Sequence, residues 1–525
     1  MRRELGLLGW LFVAPVLALI GACSSSGSGA QPQGGKAGAR AIHDFKVGIN
    51  VNNVDWWGNA RPFSNLIYGA GWTMQNTSPW GGAEEVPASS LDANGWVKFV
   101  PPGYRVGRGL SVPLAGGDFT CRYQGIGKMT INGPVSNVTT GADYVRFRVA
   151  PTYPNPQSVT LYFDVDPANY IRNIDCRETG AKAGDLLAPE FVDAMAGFKV
   201  MRFMKWQQAV ETNRPMTWAT RNKPGDGDYT GKDGVPVEVL VATANELNVD
   251  PWFAIPWNAD DDYVAKFATY VRDHLAPGHV AYVETSNEVW NSGYPVYAQA
   301  KNEAIAEQLP SATGSGTAEG SGERYAQKTR QVMRIWTEVF AGQTGRIVRV
   351  ASFQHVSPYW TGVLLPYQNL YQSIDAVATA PYFGHDLTAG MTADQIYAEL
   401  PGKVDEAVNF GLQQKAIAQK YGLRYITYEA GQHLILPSNV SLSAQVERDP
   451  RMASIYNQFL TAWQSQIGDT LTLFALTGGI SEHGSWGLVE YAGQPLSAAP
   501  KMRAVQNFLG RPSKGGLAQS YNQAH

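Results

Sequence analysis

Charge is what this 525-residue chain has little of: Asp, Glu, Lys and Arg together make up 17%, against roughly 25% in ordinary soluble domains. Acids and bases nearly cancel, 45 against 42, for a net charge of -3. Without a basic excess the chain lacks the footprint that nucleic acid requires, so nucleic acid is excluded as its main partner. Cysteine is scarce, at 3 residues. No second His stands at ligand spacing from His433, so no metal is expected. The chain holds no G-x-S-x-G elbow, no phosphate loop and no Gly-rich dinucleotide fingerprint. Serine-hydrolase and nucleotide chemistry lose their support, and no cofactor is expected.

Aromatics are abundant instead, at 11% with 15 Trp and 25 Tyr, and hydrophobic residues reach 44%. An aromatic-rich, charge-poor protein suits neutral ligands with apolar faces, of which sugars are the commonest. The N-terminus reads as an export signal: Arg2 and Arg3 precede an apolar run from Leu5 to Ile20, too short for a confident membrane span. It ends in Leu19-Ile20-Gly21-Ala22-Cys23, similar to a bacterial lipobox, which makes Cys23 the expected lipidation site and the outer membrane the expected address, since Ser24 stands where an inner-membrane retention signal places Asp. A Ser/Gly tether follows to residue 42. Export also permits a disulfide between Cys121 and Cys176, with a loop closure that stabilises by roughly 4 kcal/mol.

Two pattern changes divide the remainder. FKVGINVN (45–52) reads as one apolar strand, and 43–84 as that strand and its connection. Residues 85–180 hold short alternating segments such as YVRFRV and SVTLYFDV, punctuated by Pro101-Pro102-Gly103 and Asn132-Gly133, which indicate an antiparallel β-sandwich. From 181 to 510 apolar strands alternate with helical stretches. Strands are expected at 199–204, 251–256, 280–285, 346–352, 374–380, 424–429 and 471–476, and helices at 259–275, 323–341, 403–421 and 450–466. Continuous apolar strands imply burial on both faces, as in a parallel sheet. With FKVGINVN as the first, eight strand–helix units predict a (β/α)8 TIM barrel, class α/β, carrying the sandwich as an insertion. Residues 511–525 read as a tail.

In such barrels chemistry sits at the C-terminal strand ends. The fourth strand ends VETSNE, placing Asn287 and Glu288 at the mouth, and the seventh ends YITYEAGQH, placing Glu429 there. A single Glu at a strand end is more often a cap; two at matching ends among aromatics form a candidate pair. Carboxyls about 5–5.5 Å apart serve a retaining glycosidase, and their shared site forces their pKa values apart.

At this point the chain resembles the clan A glycoside hydrolases, and more closely a bacterial family labelled "cellulose-binding protein". The matching stretches are FKVMRFMKWQ, DPWFAIPWNADDDYV, YVETSNEVWN, APYFG, YEAGQH and GSWGLVEY. The resemblance implies Glu288 as acid/base and Glu429 as nucleophile. It also implies that Asn287 meets a sugar 2-hydroxyl, Tyr382 orients Glu429, Arg202 keeps Glu429 ionised and Trp486 is a sugar platform. Lys205 and Ala430 depart from the expected pattern. Trp206, Trp257, Asn258, His355, Gln432 and His433 complete the candidate sugar contacts. Asp260-Asp261-Asp262 reads as a helix start. GDGDYTGKDG (225–234) mimics a calcium loop, but Val237 stands where the bidentate ligand belongs. The expected function is a retaining hydrolase of a β-linked, cellulose-like glycan, monomeric and lipid-anchored. A non-catalytic glycan-binding lipoprotein and a transglycosylase using the same residues are the alternatives.

Overall fold

A computed structural model describes residues 44–511 apart from 55–58, 70, 79–81, 152–158, 211, 213, 232, 315 and 317–319. The expected export signal, the expected lipidation site Cys23, the expected tether and the tail beyond 511 lie outside the described residues. Eight parallel strands close on themselves in chain order: β1 (Lys46–Asn50), β2 (Val200–Arg202), β3 (Asp250–Ile255), β4 (Ala281–Thr285), β5 (Ile347–Ser352), β6 (Ala376–Thr379), β7 (Arg424–Thr427) and β8 (Thr470–Leu473). The expected (β/α)8 barrel is the barrel found. β1 seals it, pairing with β2 through Gly48↔Val200 and with β8 through Val47↔Leu471. Every residue of β3 is buried, one set against the lumen and one against the helices, which is why the strands carry no polar alternation.

The lumen is packed solid, as this fold requires. Val200, Trp252, Tyr282, Val350, Ala376 and Ile426 fill it, and the Trp252 and Tyr282 rings stack at 5.2 Å. These bulky neighbours leave no room on β1: a Cβ at Gly48 would stand 3.0 Å from that of Val200 and 2.8 Å from the Thr472 hydroxyl. The apolar plug forms a floor, and the next polar layer of side chains lies directly above it.

The segment between β1 and β2 carries two antiparallel sheets. One orders Ala83–Glu85, Trp72–Asn76, Tyr104–Leu110, Val159–Val165 and Gly127–Asn132; the other orders Arg172–Glu178, Gly117–Gln124, Tyr144–Val149 and Val135–Thr140. Their inner faces share one apolar core, including Met74, Val106, Phe163, Phe119, Phe147 and Ile174. A disulfide joins the paired residues Cys121 and Cys176 within it. The sandwich begins earlier than residue 85, because Trp72–Asn76 pairs along its length with Tyr104–Leu110. The calcium-like segment is the seam between the units: Gly227 donates to the Asn94 carbonyl at 2.8 Å, and Tyr229 stacks on Tyr68 at 4.3 Å.

One helix departs from expectation. It runs Ala393–Lys420, with Pro401 inside it, where the sequence reading starts only at 403. Thr392 and Gln395 form a reciprocal cap at its start. Leu400, Val404, Ala407 and Val408 bury one face, and that packing outweighs the cost of roughly 3 kcal/mol for an interior proline. Asp260 is the cap of its helix, accepting from the Tyr263 amide at 2.7 Å. Among the described residues no helix is long and apolar enough to cross a membrane.

Candidate active site

Above the floor, Arg202 at the end of β2 organises the mouth. Its side chain is fully enclosed. Nε donates to Glu284 Oε1 at 2.7 Å, one Nη to Asn50 Oδ1 at 3.0 Å and Glu429 Oε1 at 2.8 Å, and the other to Asn287 Oδ1 at 2.8 Å. A planar, permanently charged fork suits this divergent set of acceptors. Burial disfavours the cation, but Glu284 and Glu429 offset that and hold the Arg202 pKa above its ordinary value. Asn50 is fixed in turn by donating to the carbonyls of Tyr428 and Leu473. Glu284 accepts from the Ser352 hydroxyl at 2.7 Å. Four strand ends, β1, β2, β4 and β5, are thus tied into one network that terminates at Glu429.

Glu429 has a second donor, the Tyr382 hydroxyl at 2.8 Å. Tyr382 belongs to a short parallel pair, Tyr382–Phe383 with Gly431–Gln432, which extends the sixth and seventh units past the barrel. Burial and the charge of Glu429 push the Tyr382 pKa well up, so it is a neutral donor. Both Glu429 oxygens therefore receive bonds from groups that complement a negative charge.

Glu288 is treated differently. It accepts from the Tyr428 hydroxyl and the Asn291 amide, both at 2.9 Å, with no cation bonded to it. Burial, followed by the like charge of Glu429, raises its pKa to about 7 against the opposing pull of those two donors. Ser286 and Glu288 both have left-handed backbone, φ 57° and 43°. Such φ values cost of order 1–3 kcal/mol in non-glycine residues and persist where surroundings impose them, often at functional sites. They turn the chain sharply off β4 and aim Glu288 back over the mouth.

A half-buried aromatic wall stands beside Glu429. The rings of Tyr382 and His433 lie 4.8 Å apart, and those of His433 and Trp486 5.5 Å apart. The Trp486 indole donates to His433 Nδ1 at 3.2 Å, which assigns the ring proton to Nε2. Burial lowers the His433 pKa to about 4, so it stays neutral. Behind the wall, Lys501 pairs with Glu447 at 2.7 Å and donates to the Ser485 carbonyl at 2.6 Å. Gln432 donates to the same carbonyl at 2.6 Å.

Several expected sugar contacts are elsewhere. Trp206 is core, packed on Phe63, Phe191 and Phe203, with its indole bonded to the Asn52 carbonyl. Trp257 is buried against Glu303, and Asn258 spans to the Thr212 carbonyl and Gln299. His355 bonds Thr379 and the Ala407 carbonyl behind the strands, and burial lowers its pKa to about 4. Gln432 is a loop anchor without exposed surface. Arg202 is likewise fully enclosed, with its donors on Glu284, Asn50, Asn287 and Glu429. Trp206, Asn258, His355 and Gln432 each bond a backbone carbonyl, whereas Trp257 and Arg202 bond side chains. Glu288, Glu429, Asn287, Tyr382, His433 and Trp486 are brought together. Glu284, Ser352, Tyr428 and Asn291 belong to the site and were missed. A signal existed for Glu284: an acid inside an apolar two-sided strand must find a buried cation.

Among the described residues no group of three His, Cys, Asp or Glu could hold a metal ion. No protein-family model and no curated protein matches the chain. Solved structures with similarity include a GH51 arabinofuranosidase from Xanthomonas axonopodis pv. citri, 14% identical over 58% of this chain and 63% of that one, at a TM-score of 0.38. This chain thus spans under two thirds of that enzyme. A β-glucosidase from Thermotoga maritima in complex with glucoimidazole is 12% identical over 62% and 86% of the two chains, at 0.34.

Proposed function

We propose that this chain is a retaining glycoside hydrolase acting on a β-linked glycan, with Glu429 as nucleophile and Glu288 as acid/base. The observation that carries this is the unequal treatment of two neighbouring carboxyls: Glu429 is bonded by a guanidinium and a phenol, while Glu288 meets neutral donors only and has its pKa at about 7. That is the division of labour a double displacement needs. Glu429 attacks the anomeric carbon as the bond to the leaving oxygen breaks, and Glu288 gives that oxygen its proton. Water then attacks the glycosyl ester, passes a proton to Glu288 and releases Glu429. Asn287 has its carbonyl oxygen on Arg202, which leaves its NH2 to meet a sugar hydroxyl. The sequence likeness to clan A hydrolases supports the β-linked substrate.

Glu429→Gln should lower kcat on an aryl β-glycoside by at least ~10⁴-fold while sugar binding persists in calorimetry. Azide added to Glu429→Gly should restore turnover and give a glycosyl azide of inverted configuration, because azide enters from the vacated side. Wild-type turnover by Glu429→Gln would overturn the assignment. Lipid attachment at Cys23 is part of the proposal, supported by the lipobox-like sequence. Palmitate labelling of the exported protein, abolished by Cys23→Ser, tests it.

A further inference from the structure

The loop leaving β5 and the helix Pro358–Leu364 that follows it stand at the same end of the barrel as both carboxylates, since they follow a strand C-terminus. They carry an unusual surface. Tyr359 is 64% exposed, Trp360 40% and Val356 45%, and among the described tryptophans Trp360 is the most exposed. The two rings meet edge to face at 5.4 Å, forming a corner with one ring as floor and the other as wall. The mounting is rigid: Gln414 donates to the carbonyls of Gln354 and His355 at 3.1 and 2.9 Å, and His355 is pinned to Thr379 and Ala407. Exposed apolar area on a fixed support is costly to leave in water and marks a binding surface. In the barrel the fifth unit lies between the one that carries Glu288 and the one that carries Tyr382.

We propose that Tyr359 and Trp360 form a second sugar-binding platform that takes pyranose rings of a neutral polysaccharide chain outside the catalytic site. The axial C–H face of a β-linked pyranose is apolar and stacks on an aromatic ring, while its rim of hydroxyls stays in water. A platform outside the catalytic site is expected to matter for a polymer and not for a small glycoside. This deepens the glycosidase reading and rests on it for the class of ligand.

Affinity electrophoresis through gels holding soluble β-glucan, glucomannan or arabinoxylan tests it. Wild-type protein should be retarded by at least one polymer, and the Tyr359→Ala/Trp360→Ala protein should bind that polymer roughly tenfold more weakly, a loss of ~1.4 kcal/mol. Its kcat/KM should fall several-fold on the polymer and stay unchanged on an aryl glycoside. Both side chains are exposed, so the melting temperature should hold. No retardation of wild type by any of the three polymers, equal retardation of the variant, or a dimer in wild type that the variant abolishes would each overturn the platform. A protein that cleaves no glycoside yet shows retardation dependent on the two rings would sink the hydrolase reading and keep the platform.

Discussion

The two halves of the mouth differ in how they treat a carboxylate. On the β7 side, Glu429 ends a chain of charge-assisted bonds running from Ser352 through Glu284 and Arg202. On the β4 side, Glu288 meets neutral donors and a left-handed backbone turn, with its pKa raised to about 7 by burial and by Glu429. Identical side chains thus meet different partners, and for Glu288 burial and its neighbours raise the proton affinity.

Exchanging those neighbours should erase the difference. After Glu429→Gln, the largest effect is expected at Glu288 itself: Glu288→Gln should cut kcat by roughly 10²–10⁴-fold on substrates with poor leaving groups, and far less on activated aryl glycosides. Equal losses on both would remove the acid role. Arg202→Gln strands Glu284 and Glu429 without a counter-charge. Breaking a buried pair costs ~3–5 kcal/mol, visible as a lowered melting temperature, and Arg202→Lys should recover only part because it lacks the fork. A full recovery would mean that only net charge matters there. Tyr382→Phe removes one bond to a charged oxygen, worth ~1.5–3 kcal/mol, and should lower kcat by about 10–100-fold with the fold intact.

The smallest effect concerns pH. Glu288 must hold its proton for the first step, so kcat/KM should fall as pH rises through about 7. That limb belongs to the coupled pair. Tyr428→Phe deletes a bond that favours the ionised form, so the limb should move to higher pH. Movement to lower pH would contradict the hydrogen-bond reading. Behind the aromatic wall, Lys501→Met should destabilise by leaving Glu447 unpaired, and adding Glu447→Leu should restore stability, since apolar replacement of a buried pair is often neutral. Loss of the Trp486 fluorescence environment in the single variant alone would show that the pair positions the wall.

Much of this was legible in advance. Eight apolar strand runs interleaved with helical periods announced the barrel, and acids closing two of those runs marked Glu288 and Glu429. The residues expected around the mouth divide: Tyr382 and Trp486, from the resemblance, and His433, from its strand end, stand beside Glu429, while Trp206, Trp257 and His355 went into packing. Loop residues carry no periodicity, so nothing in their order states which way they face. The start of the long helix at Thr392 was readable from its T-x-x-Q cap, yet Pro401 masked it.

The amino-acid order alone determined the alternation of elements, hence the class of fold, and which strands end in carboxylates, because burial on two faces demands continuous apolar runs and tolerates acids only where a strand opens to the mouth or, as at Glu284, where a buried cation meets them. Tertiary structure decided everything that depends on distance between remote segments. Arg202, Glu284 and Glu429 come from three strands and meet only when the barrel closes, and a proton affinity depends on water excluded by side chains hundreds of positions away in the chain.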